Sequence, residues 1–102
     1  MATEVNWTPQ SLEDIDNIAS FIAKDSLHYA KIQTERFFEK VKVLEQHPEF
    51  GLIVPELGIS TIRQISEGRY RIIYRIISLQ RIDILTIHHK RRLLSSNPLF
   101  SE

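Results

Sequence analysis

Two adjacent histidines, His88 and His89, stand before Lys90, Arg91 and Arg92 at the end of GRYRIIYRIISLQRIDILTIHHKRR, residues 68–92. Imidazole can move protons near neutral pH, and guanidinium grips phosphate or carboxylate through paired N–H bonds. Side chains alternate along a strand, so Arg69, Arg71, Ile73, Arg75 and Ile77 fall on one face and Tyr70, Ile72, Tyr74 and Ile76 on the other. The tyrosine–isoleucine face reads as core, with Tyr74 packed and its hydroxyl at the rim. The arginine face reads as open, and Arg63, Arg81 and the run from His88 to Arg92 extend it. Such a face can receive a phosphate backbone or an acidic, apolar peptide from a partner. Arg71 and Arg75 could instead pair across strands with Asp83 or Glu67, but acidic residues in this half are few, which favours partner binding.

By the same alternation His88 shares a face with Ile82, Ile84 and Thr86, as a half-buried ring satisfied by backbone would. His89 shares one with Arg81 and Asp83 and is the better catalytic candidate. Adjacent strand residues point apart, so the two rings cannot ligate one metal. The chain has no cysteine, which removes thiolate metal sites, a cysteine nucleophile and disulfides.

The elements that must position these residues follow from periodicity. TEVNW is rich in β formers, then Thr8 and Pro9 supply an N-cap and a first-turn proline. Leu12, Ile15, Ile18 and Ile22 make one helical stripe, with Glu13, Asp14 and Asp16 early in that helix, where its dipole favours negative charge. A break at Asp25–Ser26 precedes a second stripe, Leu27, Ala30, Thr34, Phe37, Val41 and Leu44, and so predicts an antiparallel helical hairpin over about 9–47. HPEFGLIVPELG reads as an irregular connection pinned to the body by Phe50, Leu52, Ile53, Val54 and Leu57. Strands at about 60–66, 69–77 and 80–88, joined by short turns, predict a three-stranded antiparallel meander within about 60–89. Residues 93–102 form a polar tail whose apolar pair, Leu99 and Phe100, can tuck back. The fold class is α+β, in a single domain over 1–102.

The formal net charge is zero, yet residues 1–59 carry 5 basic against 10 acidic side chains and residues 60–94 carry 8 against 2, with Glu102 alone in the last eight. A neutral total argues against strong nonspecific binding to nucleic acid, which needs many phosphates neutralised together. The asymmetry points to an anionic partner at the basic end. The N-terminus lacks a basic region followed by an apolar core, and no apolar run spans a membrane, so the expectation is a cytoplasmic protein.

The order strand, helical hairpin, antiparallel sheet, with WTP at 7–9, PEFG at 48–51, PEL at 55–57, YRIIYR at 70–75 and ILTIHHKRR at 84–92, resembles the ParE/RelE superfamily of toxins from type II toxin–antitoxin (plasmid stabilization) systems. The resemblance implies a toxin neutralised by an antitoxin whose C-terminal segment lies over the hairpin and sheet. RelE-like members are metal-independent, ribosome-dependent mRNA endonucleases, using a base, an acid and a transition-state arginine. ParE-like members inhibit DNA gyrase and lack that catalytic set. The present motifs resemble the ParE side, since residues 60–68 hold only Arg63 beside Glu67. The resulting expectation is a gyrase inhibitor with no catalytic residues, no cofactor and no metal, in which Arg69, Arg71, Arg75, Arg81, Lys90, Arg91 and Arg92 bind antitoxin or target. The alternative is an mRNA interferase using Arg63, Arg75, His89 and Arg91, with ribosome and mRNA as partners. A non-toxic member that binds only its antitoxin is the third reading. A homodimer and a toxin–antitoxin hetero-oligomer both stay open.

Overall fold

A computed structural model describes residues 2–100; Met1 and the last two residues of the tail, Ser101 and Glu102, lie outside the described residues. Strand β1 (Glu4–Trp7) hands over at once to helix α1 (Pro9–Ala23). Thr8 makes the joint: its hydroxyl accepts from Ser11 N–H, and Pro9 starts the helix at a position where no N–H is needed. The same hydroxyl donates to the Ile84 carbonyl at 2.6 Å, tying the start of the helix to the sheet. Ser26 caps helix α2 (Leu27–Val41) by accepting from Tyr29 N–H, and a short 3-10 turn (Lys42–Glu45) follows.

The sheet has five strands in the order β1-β5-β4-β3-β2, with β2 at Leu52–Ile53, β3 at Ile62–Glu67, β4 at Tyr70–Ser78 and β5 at Arg81–His89. The central meander is antiparallel as expected, each strand beginning one or two residues later than its sequence estimate. Gly68 takes φ +57° and opens the β3–β4 turn, the left-handed conformation that a tight hairpin asks of its first central residue. The N-terminal strand is as expected and joins the sheet by pairing parallel with β5, while β2, in the stretch expected to be irregular, adds a further strand antiparallel to β3.

One face of the sheet packs on the hairpin. Ile15, Phe37, Val41 and Leu44 meet Ile65, Ile72, Tyr74, Ile82, Ile84 and Ile87 in the larger core. Removing the Phe37 ring would cost about 3–5 kcal/mol, the usual range for a buried aromatic cut to alanine. The expected stripes hold except at their ends: Leu12 is exposed, and Leu27, one residue past the Ser26 cap, is 77% exposed.

The opposite face is not open. Val54, Ile62, Ile73 and Leu94 form a second buried cluster, joined by Leu57, Leu85 and Phe100. The connection after β2 and the C-terminal tail together cover the middle of the expected arginine face, leaving Arg75 and Ile77 exposed. Phe50, Leu52 and Ile53 do not pin that connection, since all three are exposed; Val54 and Leu57 do. In the tail Phe100 tucks in and Leu99 does not.

A β-bulge changes the parity of β5. Ile73 pairs with Thr86 but Tyr74 pairs with Ile84, leaving Leu85 as the extra residue. Beyond it the side chains swap faces. His89 therefore joins Ile82, Ile84 and Ile87 on the hairpin side, opposite Tyr70, while His88 joins Thr86 on the tail side. Simple alternation had placed the two rings the other way round.

Candidate functional site

Where β5 runs past β1 its edge is free of strand pairing, and helix α1 supplies the missing partner. Asp14 accepts from Ile87 N–H at 3.0 Å and from the Thr86 hydroxyl, and Gln10 Nε2 donates to its other oxygen at 2.9 Å. A carboxylate in this helix thus replaces a ladder carbonyl. Asn97, buried in the tail, donates to Thr86 Oγ1 at 3.1 Å and to His88 Nδ1 at 3.2 Å, while His88 Nε2–H donates to the Arg92 carbonyl at 2.9 Å. His88 is thereby a buried clasp between the end of the sheet and the tail, satisfied by one backbone carbonyl and one amide side chain.

This arrangement leaves a groove of about 840 Å³ between the second half of α1, the β3–β4 turn, the end of β5 and the tail. Its apolar wall includes Ile18, Phe21 and Ile22, with Phe21 68% exposed. Its basic wall holds Arg36, Arg69, Arg91 and Arg92, set against two carboxylates, Asp14 and Glu67. Both carboxylates are engaged, Asp14 on β5 and Glu67 as acceptor from Gln33 Nε2 at 3.1 Å. Among the described residues none of the four arginines forms an ion pair.

His89 lies in this groove. Its ring meets Tyr70 edge to face at 5.3 Å, and Tyr70 meets Phe37 likewise at 5.4 Å, so the imidazole ends an aromatic ladder rooted in the core. His89 Nδ1 accepts from Arg91 N–H at 3.1 Å, which puts the proton of the neutral ring on Nε2. Burial, then the guanidiniums of Arg91, Arg92 and Arg69 and the neighbouring His88, hold its pKa below the ordinary 6.5. These effects favour the neutral ring, whose Nε2–H faces the groove.

The remaining arginines lie elsewhere. Arg71 is on the tail side with its side chain only 11% exposed, where it makes two bonds to the Glu56 carboxylate, at 2.9 and 2.7 Å, and one to Gln64. Those bonds hold the Glu56 carboxyl below the usual carboxylate range. The acidic partner of Arg71 is thus neither Asp83 nor Glu67. Arg75 is exposed on the same face, opposite Asp83 in the ladder, but Asp83 bonds Arg81 at 2.9 Å instead. Arg81 opens β5, eight residues and so about 26 Å of strand from His89. Arg63 donates to the carbonyls of Ser60, Glu49 and Gly51, clamping the connection around β2. Lys90 is exposed in the turn after β5, where its N–H pairs with the Arg69 carbonyl at 2.9 Å.

Of the basic residues singled out from sequence, Arg69, Arg91, Arg92 and His89 come together; Arg63, Arg71, Arg75 and Arg81 do not join them. Phe21 and Arg36 were missed. Phe21 lies one position off the Ile18–Ile22 stripe, a sequence signal for an apolar residue the hairpin does not bury, whereas nothing local marks Arg36. Among the described residues no group of three or more His, Cys, Asp and Glu is placed to hold a metal ion. No helix is long and apolar enough to cross a membrane.

None of the curated proteins searched matches the chain. Among solved structures, a chain described as "Chromosomal ParDE TA system from P. aeruginosa" superposes with a TM-score of 0.71 at 21% identity, over 85% of this chain and 95% of that one, a likeness of fold. The family model described as "ParE toxin of type II toxin-antitoxin system, parDE" matches residues 5–94. With almost the whole strand–hairpin–sheet unit inside that match, the chain belongs to the ParE toxin family of type II toxin–antitoxin systems.

Proposed function

We propose that the protein is a ParE-like inhibitor of DNA gyrase that performs no chemistry of its own and is neutralised by a cognate antitoxin. The observation that carries this reading is the dispersal of the nuclease set. Phosphodiester cleavage needs its acid, base and transition-state cation around one scissile bond, within about 3 Å of the groups they serve. Here Arg63 spends its guanidinium on three backbone carbonyls, and Arg75 lies on the face of the sheet opposite His89. Only His89 and Arg91 share a groove. Family membership supports the system, and an arginine-lined groove beside exposed apolar surface supports binding of a protein.

Inducing the chain in cells and following DNA and mRNA together tests this. The expected outcome is lost plasmid supercoiling or DNA breaks within minutes, without new codon-positioned mRNA ends. The purified chain is likewise expected to inhibit supercoiling by purified gyrase. New mRNA ends with intact DNA, abolished by His89→Ala with Arg63→Ala, would establish the interferase instead. A chain that does neither would be the antitoxin-binding member without toxicity.

A further inference from the structure

We infer that His88 and Asn97 form a proton-sensitive latch on the C-terminal tail, closed while the His88 ring is neutral and released when its Nδ1 takes a proton. Such a latch works whatever the target, because it governs how much of its own surface the chain uncovers.

Every donor and acceptor in the latch is committed. The Arg92 carbonyl can only accept, which puts the single proton of the neutral ring on Nε2 and leaves Nδ1 as an acceptor. Asn97 Oδ1 accepts from Leu99 N–H at 3.0 Å, which turns the Asn97 NH2 toward the ring. Its two hydrogens go to His88 Nδ1 and Thr86 Oγ1, and the Thr86 hydroxyl spends its own on Asp14. A second ring proton would point at the Asn97 NH2, donor against donor, where His88 is 5% and Asn97 8% exposed. Turning the amide over supplies an acceptor, but it sets the NH2 against Leu99 N–H and takes from Thr86 its donor. Either way the tail loses bonds that seat it.

The charges around the ring offer no remedy. From β4 Arg71 lies opposite His88, and Glu56 of the connection gives both its oxygens to Arg71. Asp14 of α1 is held by Ile87 N–H and Thr86, and Glu67 of β3 by Gln33. Arg91 and Arg92 line the groove with the ring, Lys90 is exposed in the same turn, and His89 adjoins on the other face. A proton on His88 thus arrives among cations while the carboxylates are engaged.

The latch holds a layer in place. Leu94 and Phe100 cover Val54, Ile62 and Ile73, and Ser96, Asn97 and Pro98 line the groove. Opening the tail uncovers that apolar cluster and removes one wall of the groove. The open state binds one more proton at His88 than the closed state, so opening grows as pH falls.

Amide hydrogen exchange followed by NMR tests the latch, because the Asn97, Leu99 and Phe100 N–H groups are hydrogen-bonded within the tail. Corrected for the intrinsic pH dependence of exchange, their protection is expected to fall about tenfold between about pH 7.5 and about pH 5.5, the factor given by a proton that only a freed, ordinary imidazole accepts. Amides of the β4–β5 ladder should keep theirs. His88→Gln, which has an acceptor and a donor but takes no proton, should lose the pH dependence, and His89→Gln should retain it. Asn97→Asp should reverse it, since a carboxylate accepts from the protonated ring and protection then rises as pH falls. Equal tail protection at both pH values, a dependence that survives His88→Gln or vanishes in His89→Gln, an unreversed dependence in Asn97→Asp, or equal loss across the β4–β5 ladder would each overturn the latch. The wild-type titration and the reversal in Asn97→Asp decide the matter even if His88→Gln does not fold.

Discussion

The Tyr74 ring has no exposed surface, yet its hydroxyl is fully used: it donates to the Pro48 carbonyl at 2.7 Å and accepts from Gly51 N–H at 2.9 Å. The residue thus fastens the connection after the hairpin to the middle strand. Gly51 is the counterpart, since a Cβ there would lie 2.7 Å from the Gln64 carbonyl oxygen and from the tyrosine hydroxyl. Tyr74→Phe keeps the ring but leaves the buried Gly51 N–H and the half-buried Pro48 carbonyl without their partner. Urea unfolding of this variant is expected to show a loss of about 1–3 kcal/mol, the cost of leaving buried partners unsatisfied. A change below about 0.5 kcal/mol would mean that water replaces the hydroxyl. The tyrosine's core-facing side was legible in YRIIYR; the destination of its hydroxyl was not, because nothing within the strand indicates that residues 48–51 pass over it. Arg71 repeats the lesson. Its face was readable from alternation, but its partner Glu56 comes from an irregular connection whose path no local periodicity records.

At the scale of elements, the tail acts as the outer layer for part of the sheet. Leu94 and Phe100 pack with Val54, Ile62 and Ile73, and Asn97 closes the network through Thr86 and His88. Ending the chain after Leu93 removes that layer and the Asn97 amide together. The shortened protein is expected to bind the dye ANS and to unfold at least about 4–8 °C lower, the shift that about 1 kcal/mol produces in a domain of this size. A shortened chain with unchanged midpoint and no dye binding would show the tail to be dispensable. The elements easiest to read were those with a sustained period, namely the two helices and the three long strands, whose apolar residues repeat at 3.6 or 2. Strands β1 and β2 owe their places to pairing with distant partners, Arg81–Ile84 and Arg63–Gln64, and a two-residue strand has no period to detect.

Considered as a whole, the molecule brings its acidic helices and basic sheet end together at one groove, and the larger core spans both halves. Trp7, the sole tryptophan, reports on that union: it sits on β1 and packs against Phe38 of α2 with ring centroids 4.7 Å apart. Because the hairpin has no core apart from the sheet, tryptophan fluorescence and far-ultraviolet circular dichroism should trace one coincident transition in denaturant. Separate midpoints would show the hairpin unfolding on its own. At this scale the sequence disclosed that basic charge collects in the sheet half, but not which arginines meet. That depends on the turn at Gly68, the course of the tail and the bulge at Leu85, each fixed by contacts far apart in the chain. The bulge also bears on descent. Loss of the extra residue at 85 would leave both rings opposite their present partners, whereas a β5 of unchanged length without the bulge would bring His88 opposite Tyr70, where His89 now stands. Between relatives of equal length that differ in that bulge, a histidine aligned with a histidine would not be its functional equivalent, and inherited roles beyond position 85 have to be traced through the pairing of strands rather than down the columns of an alignment.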